Sequence, residues 1–138
     1  MNYSKTVLNL LLLISFLAAC TSKTQSEVQI KNIDVATAHQ LLDQDKNIVV
    51  LDVRTPEEYT SGHINGAVNI NINDDNFSKK VAKLDKGKSY IVHCAANVEN
   101  GRSARSLEIM SGLGFKNLMS MEGGFAAWQK DGLSVISE

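Results

Sequence analysis

Cys94 is the residue of this chain whose type and position best fit covalent chemistry. It ends an apolar run over residues 89–94, and a loop over residues 95–100 separates it from a helical pattern that begins near Arg102. The thiolate is the nucleophilic form of cysteine, and the dipole and backbone N–H groups of a helix N-terminus favour negative charge. The position therefore predicts a nucleophilic thiol; the alternative is a buried and inert cysteine.

The other cysteine, Cys20, ends a segment with the pattern of an export signal. Lys5 gives it a positive start, and residues 7–19 form an apolar stretch shorter than the ~20 residues of a membrane-spanning helix. The end of this stretch, residues 17–20, resembles the lipobox of bacterial lipoproteins, which implies cleavage before Cys20 and lipidation of its thiol. The alternatives are an ordinary signal peptide cut nearby or an uncleaved anchor.

This interpretation divides the chain into a signal peptide (1–19), a lipidated cysteine with a polar tether (20–27) and one domain (28–138). We expect an exported protein that is anchored by lipid on the periplasmic side of a bacterial membrane. Thr21 stands where an aspartate would resemble an inner-membrane retention signal, which weakly favours the outer membrane. Lipidation of Cys20 would also make Cys94 the single thiol of the mature chain.

Charge and ligand spacing exclude other classes of function. The chain carries 14 basic and 15 acidic residues, a net charge of −1, so nothing suggests nucleic-acid binding. Membrane association would come from the lipid and not from a basic patch. His39, His63 and His93 show no metal-ligand spacing, and there is no C-x-x-C pair, so no metal is expected.

Short apolar runs alternate with amphipathic segments along residues 28–138, which predicts an α/β domain with a mainly parallel sheet. Asp34 is the expected N-cap of a first helix. In the helix that follows Cys94, we expect Ala104, Leu107 and Met110 on one buried face and Gly112 as the terminator. The candidate strands are 28–30, 48–51, 67–72, 90–92 and 117–121, and the candidate helices after the first are 77–84, 102–112 and 125–130.

A further helix is predicted after the strand 48–51. Thr55 is a good N-cap, Pro56 suits the first helical position, and Glu58 completes a capping box. The polar pair Asp52 and Arg54 stands between this strand and this helix. We expect them to have a structural role as an ion pair or hydrogen bond; the alternative is a direct part in catalysis.

Three separated blocks of the chain resemble the rhodanese family. Residues 52–70 are similar to its N-terminal signature, residues 114–118 and 122–128 are similar to its C-terminal signature, and Cys94 falls where the family keeps its catalytic cysteine. The resemblance covers residues 28 to about 136. It implies a single rhodanese-like domain with a five-stranded, mainly parallel sheet flanked by helices on both faces.

The resemblance implies a sulfurtransferase in which Cys94 takes sulfane sulfur from a small donor, carries it as a persulfide and passes it to a thiol or cyanide. It implies no organic cofactor and no metal, and we expect a monomer. Arg102 is expected to bind the anionic donor; the alternative is a solvated arginine. The substrate-binding loop would consist of Ala95, Ala96, Asn97, Val98, Glu99, Asn100, Gly101, Arg102 and Ser103.

This loop departs from the family pattern C-x-x-G-x-R-S, because it holds three more residues between Cys94 and Arg102. We expect a wider pocket, and Glu99 would repel a dianion. A larger persulfide or polysulfide donor is therefore at least as well suited as thiosulfate. We expect His63, His93 and Glu99 to take no catalytic part.

Two other function classes remain open at this point. One is a phosphatase or arsenate reductase of the same fold, although the loop of those enzymes holds seven residues. The other is a non-catalytic sulfide-sensing or protein-binding module tethered to the envelope. The presence of Cys94, Gly101, Arg102 and Ser103 together argues against a domain that has lost its chemistry.

Overall fold

The computed structural model describes residues 28–96 and 99–138. The predicted export signal, Cys20 as the predicted lipidation site and the predicted tether lie outside the described residues, as do Asn97 and Val98 of the loop. Within the described ranges, no helix is long and apolar enough to cross a membrane.

The elements follow one another as strands and helices that alternate along most of the chain. In order they are β1 (Lys31–Ile33), α1 (Val35–Gln44), β2 (Val49–Asp52), α2 (Pro56–Ser61), β3 (His63–Ile64), β4 (Val68–Asn69), α3 (Phe77–Val81), β5 (Ser89–His93), α4 (Arg102–Gly112), β6 (Asn117–Met121), α5 (Gly124–Lys130) and β7 (Val135–Ile136).

Five of the strands form one sheet in the order β1-β6-β5-β2-β4, and every pairing within it is parallel. Alternate residues of the central strands point to opposite faces. Leu51 and Val92 belong to a core cluster that includes residues of α3 and α4, whereas Val50 and Ile91 belong to a cluster that includes residues of α1 and α5. Helices therefore cover both faces, and the predicted fold class, a single α/β domain around a five-stranded parallel sheet, is confirmed.

The topology places one opening at the carboxyl ends of β5, the central strand of the sheet, and its neighbour β2. From β2 the chain continues to β4 on one side, and from β5 it continues to β6 on the other. Ligands of open α/β sheets bind at such a switch point, outside the carboxyl ends of the strands. Asp52 is paired in register with His93, so the residues that follow both strands meet at this point.

Helix caps agree closely with the sequence patterns. The side chain of Asp34 accepts a hydrogen bond from the Thr37 N–H at 2.8 Å at the start of α1. At α2, the Thr55 and Glu58 side chains each accept a hydrogen bond from the other's backbone N–H, and Pro56 occupies the first turn. These signals are local, which explains why they can be read from the sequence.

Other boundaries differ from the prediction. The first strand is Lys31–Ile33 instead of 28–30, and the strand predicted over 67–72 is reduced to Val68–Asn69. The helix predicted over 77–84 ends at Val81. Apolar residues such as Ile30 suggested a strand over 28–30. Ile30 is 39% exposed, and the pairing of the first strand begins only at Lys31.

Helix α4 has the predicted bounds, but two details of the prediction were wrong. Ala104 is exposed, and the buried face holds Ser103, Ser106, Leu107 and Met110. Gly112 is still helical, and Gly114, with φ of +92°, takes the left-handed position after the helix. The Gly114 N–H donates to the Ser111 carbonyl and the Phe115 N–H donates to the Met110 carbonyl, which is the pattern of a Schellman motif.

A second sheet of two antiparallel strands, β3 and β7, was not predicted. His63 is paired with Ile136 and Ile64 with Val135, and the Glu138 N–H donates to the Thr60 carbonyl at 3.1 Å. These strands are too short to show an alternating pattern. They fasten the end of the chain to the segment that follows α2.

We predict that Leu107→Ala lowers the free energy of unfolding by about 2–5 kcal/mol, because Leu107 is 2% exposed within the core. Ala104→Ser, one turn away on the exposed face, should change it by about 0.5 kcal/mol or less. Urea denaturation of both variants measures this difference. Equal losses would mean that the buried face of α4 is misassigned.

Candidate active site

Cys94 lies directly after β5 and is 3% exposed. Its Sγ is 3.4 Å from Oγ of Ser103, the second residue of α4. The thiol therefore faces the first turn of an eleven-residue helix, whose dipole favours the thiolate. Cys94 also contributes to the core cluster on the α3 and α4 side of the sheet, so the sulfur is sheltered from solvent.

The backbone of Cys94 is held by the start of α5. The Cys94 and Ala95 carbonyls accept hydrogen bonds from the N–H groups of Phe125 and Ala126 at 2.9 and 2.8 Å. This close approach depends on Gly124, since a Cβ there would lie 2.6 Å from the Cys94 carbonyl oxygen. Gly123 and Gly124 both have positive φ, at +73° and +57°. The glycine pair of the C-terminal block thus positions the backbone of Cys94.

Asp52 and Arg54, for which a structural role is predicted, form a buried ion pair. Arg54 Nη2 donates to Asp52 Oδ2 at 2.6 Å, and Nε lies 3.0 Å from each carboxylate oxygen. The same Nη2 donates to the Gly62 carbonyl at 2.7 Å. The guanidinium lies 4.0 Å from the ring centre of Phe125, a cation–π contact. The pair therefore links the ends of β2 and α2 to α5.

His93 precedes Cys94 but belongs to the other side of the sheet. Its ring stacks on Phe125, and its Nδ1 lies 3.2 Å from the Cys94 carbonyl oxygen. Among the described residues, Nε2 has no hydrogen-bond partner, and it lies 3.8 Å from Asp52 Oδ2. Burial lowers the pKa of His93 despite the opposing effect of the Asp52 charge, so the neutral ring is favoured. This placement does not bring the imidazole to the sulfur.

The guanidinium of Arg102 is bound to Glu58. Nη1 donates to Oε2 at 2.5 Å and Nη2 donates to Oε1 at 2.9 Å, across 44 residues of sequence. These hydrogen bonds lower the pKa of Glu58 to about 2, so its carboxylate is charged at neutral pH. Arg102 is thus paired with a carboxylate, which with the nearby charge of Cys94 raises the pKa of the guanidinium. Glu58 was missed as a site residue, because its capping-box signal explained it fully.

A cavity of about 360 Å³ opens beside Ala95, the residue that follows Cys94. A larger cavity of about 510 Å³, around His39 and Trp128, contains none of the residues described above. Of the residues that line the smaller cavity, only Arg54 and Ala95 were predicted as site residues from the sequence. Its lining consists of Arg54, Glu58, Ser61, Gly62, Ala95, Phe125, Ala126 and Gln129.

The lining of this cavity does not include the other predicted loop residues that the structure describes. Ala96, Glu99 and Asn100 are exposed, so solvent screens the charge of Glu99. Asn100 has φ of +55°, a left-handed conformation that asparagine tolerates, and Gly101 follows as the N-cap of α4. Asn97 and Val98 lie outside the described residues. Over 28–96 and 99–138, no three His, Cys, Asp or Glu side chains gather as metal ligands.

We predict that Gly124→Ala destabilises the protein more than Gly132→Ala. Both positions have positive φ, but a Cβ at Gly132 meets no atom of the described residues within 4 Å. Gly132→Ala should therefore show only the cost of the left-handed backbone, about 1–2 kcal/mol. Gly124→Ala should lose about 1–3 kcal/mol more, because its methyl group overlaps the Cys94 carbonyl. Urea denaturation gives both values, and equal losses would contradict the described contact.

Comparisons with known proteins agree on one family. The model of the rhodanese-like domain matches residues 34–131. The putative sulfurtransferase YtwF of Bacillus subtilis is 32% identical, over 74% of this chain and 93% of its own. Thiosulfate sulfurtransferase 16, chloroplastic, of Arabidopsis thaliana is 34% identical, over 74% of this chain and 89% of its own.

A solved structure supports the same conclusion. The rhodanese-related protein of Thermoplasma volcanium is 33% identical and superposes with a TM-score of 0.66, covering 78% of this chain and 99% of its own. The matched residues run from the start of α1 to the end of α5 and include Cys94, the pair Asp52–Arg54 and the pair Glu58–Arg102. The chain therefore belongs to the rhodanese-like domain family, and its relatives include named sulfurtransferases.

Proposed function

We propose that this protein is a sulfurtransferase that carries sulfane sulfur as a persulfide on Cys94. The observation that carries the proposal is the position of Cys94 at the carboxyl end of the central parallel strand. Its Sγ lies 3.4 Å from Oγ of Ser103, in the first turn of α4. Relatives named as sulfurtransferases support the reaction class. The substrates are a small sulfur donor and a thiol or other nucleophilic acceptor.

The first step is attack of the Cys94 thiolate on the outer sulfur of the donor. With an organic persulfide R–S–SH, the new S–S bond forms on Cys94, the donor S–S bond breaks, and R–S⁻ leaves with its electron pair. With thiosulfate, the leaving group is sulfite and the persulfide remains as its anion. An acceptor thiolate then attacks the outer sulfur of Cys94–S–SH and restores the Cys94 thiolate, so the cycle is a two-step displacement.

The contacts around Cys94 support this chemistry because they fix the position of the thiol. The amides of Phe125 and Ala126 hold the Cys94 and Ala95 carbonyls, which fixes the backbone of the nucleophile. The first turn of α4 favours negative charge on the sulfur before and after transfer. The buried pair of Asp52 and Arg54 keeps α5 and the end of α2 in position.

A non-catalytic sulfide-sensing or protein-binding module is the second candidate. The low exposure of Cys94, 3%, favours it, because a substrate must reach a sheltered sulfur. The two proposals differ in turnover. A sensor would hold sulfur without passing it on, whereas a sulfurtransferase returns to the thiol with each acceptor.

We predict that Cys94→Ser abolishes sulfur transfer, because a serine hydroxyl, unlike a thiol, does not ionise near neutral pH. The wild-type protein, incubated with candidate donors, should gain one sulfur atom on Cys94 by mass spectrometry and lose it on addition of an acceptor thiol. The variant should gain none. Normal turnover by the variant would disprove the mechanism, and a persulfide that no acceptor removes would favour the sensor.

The same variant separates chemistry from packing. The substitution buries a hydroxyl next to Ser103 Oγ, a ready hydrogen-bond partner, so we expect a loss of about 1 kcal/mol in the free energy of unfolding. A thermal melt checks that the variant is folded. An unfolded variant would make Cys94 chiefly a core residue and remove the support for nucleophilic catalysis.

We also propose that the domain is exported and held on the periplasmic side of a bacterial membrane by lipid on Cys20. The support is the segment before Cys20, with its charge at Lys5 and its apolar stretch over 7–19. A polar tether over 21–27 would then join the lipid to the domain. In this arrangement, the donor and the acceptor are envelope molecules.

We predict that Cys20→Ala prevents lipidation and releases the domain from the membrane fraction. A multiply acylated cysteine anchors stably, since each buried methylene contributes ~0.8 kcal/mol. Metabolic labelling with a tagged fatty acid, followed by fractionation, measures both effects, and Ser22→Ala is the matched control that should retain the label. Labelling of Cys20→Ala at the wild-type level would reject the lipoprotein assignment.

A further inference from the structure

We infer that Glu58 is a specificity-determining residue, which neutralises Arg102 and so selects sulfur donors of low negative charge over dianions such as thiosulfate. The inference rests on the sulfurtransferase function proposed above. Glu58 acts through Arg102 and takes no part in the bond changes at Cys94.

The geometry of the pair is that of a two-point contact. Both terminal nitrogens of Arg102 donate to Glu58, one to each oxygen, at 2.5 and 2.9 Å. Such a forked contact fixes the guanidinium plane as well as its charge. Glu58 Oε2 also accepts the Thr55 N–H at 2.9 Å, so the first turn of α2 holds the carboxylate in place.

Arg102 is the first residue of α4, and Ser103 after it touches Cys94 Sγ. The pair therefore lies at the end of α4 that faces the sulfur, and Glu58 also lines the cavity beside Ala95. An arginine at this position would attract an anionic donor if its charge were open. With Glu58 in contact, the two charges offset each other over the distance to a donor.

The cation that lines the cavity, Arg54, is also paired. Arg54 is bound to Asp52, and its side chain is 5% exposed. Among the described residues that line the cavity, Arg54 is the one cation and Glu58 the one anion. A dianion entering there would meet Arg54, which Asp52 neutralises, and the carboxylate of Glu58, whose partner Arg102 does not line the cavity. The remaining walls of the cavity suit an uncharged organic group. They include Ala95, Phe125 and Ala126 together with Ser61 and Gln129.

Glu58 is the member of the network that can be exchanged without disturbing the core. Its side chain is 34% exposed, whereas that of Asp52 is fully buried beneath Arg54. Removal of Asp52 would leave a buried unpaired charge. Glutamine at position 58 keeps the acceptor of the capping box, which uses Glu or Gln at this helical position.

The test compares Glu58→Gln with Glu57→Gln as the matched control. Both remove one negative charge from the first turn of α2, but Glu57 is exposed, and of the two only Glu58 forms an ion pair with Arg102 in the described part of the chain. The donors are thiosulfate and 2-hydroxyethyl persulfide, whose tail is uncharged. We expect Glu58→Gln to raise kcat/KM for thiosulfate about 3- to 10-fold through a lower KM, because Arg102 regains its charge. The persulfide value should change much less.

Equal behaviour of the two variants would overturn the inference, and so would a parallel change with both donors. The gain should also shrink as salt is added, because an exposed charge is screened. A gain that is independent of salt would point to a change of shape instead of charge and would likewise overturn it.

The double variant Glu58→Gln/Arg102→Gln removes both charges and decides the question even if the single variant does not fold. The ratio of thiosulfate to persulfide kcat/KM should stay close to the wild-type ratio, because a neutral pair replaces a neutralised one. A fall of about 10-fold or more in this ratio would show that Arg102 holds the anion in the wild-type protein and would overturn the inference.

Binding of sulfate, an unreactive dianion, separates this inference from the proposed function. Its dissociation constant, measured from amide chemical shifts in the first turn of α4, should fall several-fold in Glu58→Gln and not in Glu57→Gln. Unchanged sulfate affinity overturns the role of Glu58 whether or not sulfur is transferred. Absence of sulfur on Cys94 with every donor overturns the proposed function, and the sulfate result then still decides the role of Glu58.

Discussion

Arg54 carries a charge in a place where its side chain is only 5% exposed, and the contacts that make this possible also shape the site. A buried charge is tolerated only with a partner of good geometry and with its remaining donors satisfied. Asp52 accepts from two nitrogens of Arg54, the Gly62 carbonyl accepts from one of them, and the Phe125 ring covers the guanidinium. These contacts fix the ends of β2 and α2 and the start of α5 around one cation, so the surrounding chain has little freedom.

The position of Cys94 depends on that frame. Phe125 covers Arg54 with its ring and holds the Cys94 carbonyl with its N–H, so a single residue joins the ion pair to the nucleophile. Gly124 allows the two backbones to approach. On the other side of the sulfur, Ser103 brings the first turn of α4 to 3.4 Å. Cys94 is thus held between two helices, by backbone hydrogen bonds to α5 and by a side-chain contact with α4, which suits the proposed role of a nucleophile that forms and breaks a bond without a change of fold.

The two ion pairs of the site have different consequences. The pair of Asp52 and Arg54 is buried and structural, whereas that of Glu58 and Arg102 lies at the edge of the cavity, with side chains 34% and 24% exposed. A partly exposed pair adds little to stability but can decide which charges a substrate meets. Such an arrangement gives the site a helix N-terminus to stabilise the thiolate while offering little net positive charge to a dianion. This combination is consistent with an organic sulfur donor.

The sequence by itself determined the features that arise from local patterns: the α/β class, the caps of α1 and α2, the bounds of α4 and β6, and the position of Cys94 between a strand and a helix. The buried pair of Asp52 and Arg54 was also predictable, because its members are two residues apart. Only the tertiary structure decided that Arg102 is paired with Glu58, that Ala104 faces solvent and that β3 meets β7. These outcomes depend on contacts between segments far apart in the chain, and no spacing or periodicity within a segment encodes which distant partner will lie beside it.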